Sequence, residues 1–128
     1  MDTKKVWFVT GASKGLGLTL VKRLLNEGYS VAATSRNLAE LKTAVNSESQ
    51  SFLPLEMDLI NENNVGEAIQ KTVEYFGKID MIVNNAGYGQ LGTLEELTDE
   101  ESRKNFDTNV FGSLNVIRKV MPYLRAQK

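Results

Sequence analysis

Three glycines fall within the eight residues Thr10-Gly11-Ala12-Ser13-Lys14-Gly15-Leu16-Gly17, between a short apolar run and a run with helical spacing. Having no Cβ, Gly11 can turn the chain sharply out of a strand. Gly15 can let main chain approach a pyrophosphate, and Gly17 can let the next helix pack close to a sheet. A helix that opens there offers unpaired N–H groups and the positive end of its dipole to phosphates. The spacing G-x-x-x-G-x-G is neither G-x-G-x-x-G nor the P-loop G-x-x-x-x-G-K-[ST], so nucleoside triphosphate hydrolysis is disfavoured. A tight turn with no ligand remains the alternative on the glycines alone.

Other chemistries drop out by composition. The 128 residues contain no cysteine and no histidine. Disulfides, thiolate nucleophiles, Ser-His-Asp catalysis and the usual zinc ligand sets are thereby excluded, and no metal site is expected. A net charge of −1 without a basic cluster gives no footprint for nucleic acid or an anionic membrane. No apolar run reaches membrane-spanning length and no secretory signal is evident, so the default location is the cytoplasm.

The chain alternates strand and helix signals. Val6 to Thr10 reads as a strand. Leu16, Leu20, Val21, Leu24 and Leu25 then recur at helical spacing until Gly28, placed as a C-terminal cap. Ser30 to Thr34 reads as a second strand, and Asn37 with Glu40 resembles a capping box for a helix to about Val45. Phe52 to Met57 is a third strand, which Pro54 assigns to a sheet edge. A helix from about Glu62 to Phe76, stopped by Gly77, leads into a fourth strand, Ile79 to Asn84, apolar enough for both faces to be buried. From about Asp99 the stripe Phe106, Val110, Leu114, Ile117, Met121 and Leu124 suggests one long helix, bent near Gly112 and Ser113 or at Pro122. This order implies a single α/β domain, a doubly wound parallel sheet of about four strands and four helices. Ligands of such sheets bind beyond the carboxyl ends of the strands, where the glycine turn sits.

Taken with Asn84-Asn85-Ala86-Gly87 and with Asn109 in "FDTNVFG", the "TGASKGLG" turn resembles the N-terminal half of a classical short-chain dehydrogenase/reductase. The resemblance spans essentially the whole chain. It implies a Rossmann fold, a nicotinamide dinucleotide cofactor and hydride transfer to or from an alcohol or carbonyl carbon of a small-molecule substrate. The cofactor-binding set it implies is Gly11, Ser13, Lys14, Gly15, Leu16, Gly17, Ser35, Arg36, Asp58, Leu59, Asn85, Ala86 and Gly87. Within this set Asp58 is similar to the residue that contacts the adenine amino group, with the Leu59 main chain beside it. Ser13 either contacts phosphate or bonds within the turn, and Asn85 is as much structural as functional. Ser35 stands where an acid would bind the ribose hydroxyl of NAD, and Arg36 follows it with Lys14 nearby, which favours NADP over NAD.

Of the family's active-site residues only the Asn, at Asn109, is found. The family uses a Tyr whose pKa is lowered by a Lys four residues later, together with a Ser. Here Tyr29, Tyr75, Tyr88 and Tyr123 are followed at that distance by Ala33, Ile79, Gly92 and Gln127. The chain is therefore read as the N-terminal segment of a longer reductase, stopping before the fifth strand. A non-catalytic dinucleotide-binding or interaction module is the alternative. The last helix resembles the family's dimer-forming element, so a homo-oligomer is expected through it. Trp7, in the first strand, is expected to be too buried to touch cofactor.

Overall fold

Alternation of side chains along the first strand sets up two cores. In the computed structural model, which describes residues 4–85 and 98–127, β1 (Val6–Val9) lies centrally in a four-stranded sheet. Its neighbours are β2 (Ser30–Ser35) on one side and β4 (Met81–Val83) on the other, with β3 (Phe52–Glu56) outside β2. Every pairing is parallel, in the order β3-β2-β1-β4. Phe8 and Ala32 point into one core, formed with Val65 and Ile69 of α3 (Glu62–Phe76) and Val116 and Val120 of α5 (Ser113–Ala126). Val9, Val31 and Ala33 point to the opposite face and meet Val21 and Leu24 of α1 (Gly15–Asn26) and Leu41 and Val45 of α2 (Leu38–Val45). Helices thus cover both faces of a doubly wound sheet, as the alternating pattern implies.

The ends of the elements follow local chemistry. Asn37 accepts a hydrogen bond from Glu40 N at 3.0 Å and caps α2, and Asn61 does the same for α3 through Asn64 N at 3.1 Å. After α1, Gly28 N donates to Leu25 O and Tyr29 N to Leu24 O, with Gly28 in the left-handed region, which is a complete Schellman ending. Gly77 closes α3 with φ +88°. Pro54 fits in β3 because Val31 N bonds Ser51 O and Met57 N bonds Ser35 O. Odd-numbered residues therefore face β2, and the missing donor of Pro54 falls on the edge side.

Three expectations are corrected. The fourth strand is shorter than Ile79 to Asn84: the ladder runs only over Met81–Val83, and Met81 is 41% exposed. Ile79 lies outside it because both its main-chain polar groups bond the Gln127 side chain, N to Oε1 at 3.1 Å and O from Nε2 at 2.7 Å. The first helix does not bury Leu16, which is 82% exposed; Gly17, Val21 and Leu24 form its inner face. The last helical segment runs without a break from α4 (Asp99–Phe106) through a π-helix (Asp107–Gly112) into α5, with Pro122 accommodated inside α5, but it does not bury the expected stripe. Its stripe from Phe106 to Met121 points outward, and the row Gly112, Val116, Val120 faces the core instead. Both faces are apolar, and the one bearing glycine can approach most closely: a Cβ on Gly112 would sit 2.7 Å from Leu59 Cδ2. Trp7 is half-buried, edge-on to Tyr29 at 6.0 Å between ring centres.

A carboxylate fastens the strand starts together. Asp80 N donates to Val6 O at 2.9 Å, while Asp80 Oδ2 accepts from Val6 N at 2.8 Å and pairs with Lys78 Nζ at 3.2 Å. Burial alone would raise the Asp80 pKa, but the Val6 amide and Lys78, with Lys5, outweigh it and hold the carboxyl below its ordinary 3.8. The folded state therefore binds this proton less tightly than the unfolded one. The resulting stability is complete above the ordinary value and disappears as pH falls through the lowered one. Asp80→Asn is expected to destabilise the fold by about 1 kcal/mol at pH 7. It also flattens the stability profile below pH 3.8, as measured by urea unfolding across pH.

Candidate functional site

The glycine turn leaves β1 at the carboxyl end of the sheet and enters α1. Gly11 and Gly15 both adopt φ +63°, a conformation that side chains with a Cβ disfavour. Ala12 N donates to Thr34 O at 3.0 Å, holding the turn against the end of β2. Gly17 lies where α1 passes the turn: a Cβ there would strike Gly11 O and Asn85 Nδ2. Gly15, by contrast, has no atom of the described residues within 4 Å of the place a Cβ would occupy, so among them the space before its main chain is open.

Asn85 ties the end of β4 into this arrangement. Its Nδ2 donates to Gly11 O at 3.0 Å, and its main-chain N donates to Thr10 Oγ1 at 3.0 Å. Asn85 thus bridges the end of β4 and the glycine turn. Buried Thr10 is a participant the sequence reading did not single out; a hydroxyl directly before Gly11 was its only signal.

The start of α1 differs from every other described helix that begins in extended backbone. Helices α2, α3 and α4 carry side-chain caps from Asn37, Asn61 and Thr98 and acidic residues in the first turn. Helix α1 has Lys14 at its N-cap, no side-chain cap and no acid in its first turn. Among the described residues no side chain caps its first amides, and no acid stands where it would repel an anion. Ser13 is half-buried and Leu16 projects into solvent beside this end.

Around the same carboxyl end lie the other expected residues. Ser35 ends β2, its Oγ accepting from Asn37 N at 3.2 Å, so the turn carrying Arg36 is tied to the α2 cap. Lys14 and Arg36 are exposed and form no ion pair among the described residues. Asp58 follows β3 in a turn in which Oδ1 accepts from Ile60 N at 3.2 Å, and Asp58 N donates to Asn64 Oδ1 at 2.6 Å. Leu59 is buried, its side chain against Gly112. Asn109 lies half-buried in the π-helix, a geometry often found at functional sites, and its main-chain O accepts from Ser113 Oγ at 3.2 Å. Ala86 and Gly87 lie outside the described residues. A cavity of about 390 Å³ elsewhere, lined by Asp99, Ser102, Arg103, Phe106, Asp107 and Phe111, contains none of the expected site. No group of acidic side chains among the described residues could hold a metal, and no helix of theirs is long and apolar enough to cross a membrane.

Comparison with known proteins agrees with this geometry. The family model described as short chain dehydrogenase matches residues 5–128. The oxidoreductase BOA17 of Botryotinia fuckeliana is 37% identical over 97% of this chain and 46% of its own length. The crystal structure of a short-chain dehydrogenase from Streptomyces avermitilis superposes with a TM-score of 0.92 at 30% identity, covering 99% of this chain and 47% of that one. A 3-ketoacyl-(acyl-carrier-protein) reductase from Brucella melitensis, complexed with NADH, gives a TM-score of 0.89 at 30% identity over 95% of this chain and 51% of its own. The chain thus spans about half the length of the relatives it matches. By its glycine turn, its sheet and these likenesses, the chain belongs to the short-chain dehydrogenase family.

Proposed function

We propose that this chain is the cofactor-binding part of an NADP-dependent short-chain dehydrogenase/reductase acting on a small alcohol or carbonyl compound in the cytoplasm. The observation that carries the reading is the uncapped start of α1 behind an open glycine turn, with Arg36 and Lys14 exposed and without an ion-pair partner among the described residues. These residues fit a dinucleotide. Main-chain amides of the turn and first helical residues would hold the pyrophosphate, with Ser13 and the Leu16 main chain beside it. Arg36 and Lys14 would hold the 2′-phosphate, Ser35 offering a hydroxyl in place of the acid that NAD-binding sites use. Asp58 would accept from the adenine amino group, and Asn85, Ala86 and Gly87 would border the path towards the nicotinamide.

The cofactor supplies hydride transfer between its nicotinamide ring and the substrate carbon. In this reading the Tyr, Lys and Ser that handle the substrate oxygen and its proton belong to the remainder of a longer parent chain. Asn109 contributes through its main-chain carbonyl in the π-helix, which would hold a water on the proton's route. The outward stripe of Phe106, Val110, Leu114, Ile117 and Met121 would be the face through which copies associate.

Titration with NADPH and NADH, followed by nicotinamide fluorescence, tests the reading. NADPH is expected to saturate with a dissociation constant at least about tenfold below that of NADH, the worth of one charge-assisted hydrogen bond. Equal or reversed affinities would remove the NADP assignment, and no binding of either would remove the dinucleotide site.

A further inference from the structure

The turn that follows β3 is held from two sides, and only one of them belongs to its own unit. Within the unit, Asn64 Oδ1 accepts from Asp58 N at 2.6 Å, and Asn61 N donates to Asp58 O at 3.0 Å. From across the core, Asn115 Nδ2 of α5 donates to Leu59 O at 2.9 Å, 56 residues distant in sequence. Asn115 is itself oriented: Arg118 Nη1 donates to its Oδ1 at 3.1 Å and to Glu62 Oε2 at 2.7 Å.

The Leu59 carbonyl and the Ile60 N–H belong to one rigid peptide plane. Asn115 holds the carbonyl end of this plane. The N–H end donates to Asp58 Oδ1 at 3.2 Å and so fixes the direction of that carboxylate. Packing of Leu59 on Gly112, where a Cβ would come within 2.7 Å, keeps the turn seated on the same helical segment.

We infer that Asn115 is a positioning residue for adenine selectivity: through the Leu59–Ile60 peptide it aims the Asp58 carboxylate at the exocyclic amino group of the bound nucleotide. This deepens the dinucleotide-binding reading and rests on it. A purely structural Asn115 would affect stability and overall affinity; a positioning Asn115 affects the choice between adenine and a purine lacking the amino group.

The test compares NADPH with its hypoxanthine analogue, in which a carbonyl replaces the amino group, on the wild-type protein and three variants. Asn115→Asp keeps the shape and the Arg118 partner but sets an acceptor against Leu59 O; Asn115→Leu keeps the branching without any donor and supplies the same test if Asn115→Asp does not fold. Val120→Ala, in the buried row of the same helix, is the control for loss of stability. Wild type is expected to prefer the adenine cofactor by roughly tenfold, the equivalent of one hydrogen bond made or left unmade. The Asn115 variants should bring this preference within about twofold while Val120→Ala retains it. A preference unchanged in the Asn115 variants, or lost equally in Val120→Ala, overturns the inference while leaving the dinucleotide site standing. Failure of wild type to bind either nucleotide overturns both.

Discussion

Arg36→Asp is expected to reverse the proposed cofactor preference, from NADPH to NADH. Arg36 follows Ser35 at the end of β2, exposed and without an ion-pair partner among the described residues, and the turn is anchored by Asn37. Its position is electrostatically unfavourable in the absence of a ligand. A cation next to the start of α2 opposes the helix dipole by about 0.3–1 kcal/mol. A 2′-phosphate would offset this and gain a charge-assisted hydrogen bond worth about 1.5–3 kcal/mol. In the variant the bond is replaced by repulsion, while the new carboxylate can accept from the ribose hydroxyls of NAD. The two changes act in opposite directions on the two cofactors, so the ratio of dissociation constants is expected to shift by on the order of a hundredfold or more. Paired titrations measure it. The acid also suits the α2 N-terminus, so thermal stability should be equal to or slightly above wild type, which separates recognition from folding. A ratio within about twofold of wild type would show that neither the position nor the charge of Arg36 reads the phosphate.

The sequence is most readable where one local feature decides one local structure. Asn37 with Glu40 and the glycines at 28 and 77 are sufficient for three helix ends, because capping is settled within a few residues. Pro54 marks an edge strand because a missing donor is tolerated only where no neighbour needs it. The glycine turn is likewise a local backbone demand, and the structure places positive φ at Gly11 and Gly15.

What escaped depends on partners far along the chain. Ile79 looks like strand from its own neighbours, yet its polar groups bond Gln127, 48 residues later. The last helix carries two apolar rows, and periodicity cannot say which meets the sheet. The choice was made by Gly112 meeting Leu59. The π-helix has no local signature beyond the vicinity of Gly112, and Thr10 and Asn115 meet Asn85 and Leu59 across long stretches of chain. The proposed function divides in the same way: the phosphate site would lie in one turn, whereas aiming a carboxylate at a base would need residues from two distant segments.

Gly17→Ala is expected to be the most damaging single-methyl change in the described chain. By intrinsic preference alone it should help, since alanine in a helix interior is favoured over glycine by about 1 kcal/mol. The surroundings decide otherwise. Gly17 is buried, and the added Cβ would collide with Gly11 O and Asn85 Nδ2 and lie 3.1 Å from Gly11 C. Two of these atoms are main chain of the turn itself, and the third makes the hydrogen bond joining β4 to that turn. Relief therefore requires moving α1 away from the turn or breaking the Asn85 bond, and either displaces the amides that would face the pyrophosphate. Overpacking of this kind typically costs about 1–3 kcal/mol, and loss of the Asn85 bond adds about 1 kcal/mol. A net destabilisation of about 1–3 kcal/mol remains after the helix preference is included, equivalent to a fall in Tm of roughly 5–15 °C. Dinucleotide affinity is expected to fall further than stability explains, by on the order of a hundredfold at a temperature where the variant is still folded, because several phosphate-facing amides shift together. Calorimetric unfolding and NADPH titration on the same preparation measure both. A variant with unchanged Tm and unchanged affinity would mean that α1 does not pass as close to Gly11 and Asn85 as the structure shows, and the open glycine turn would lose its claim to the cofactor.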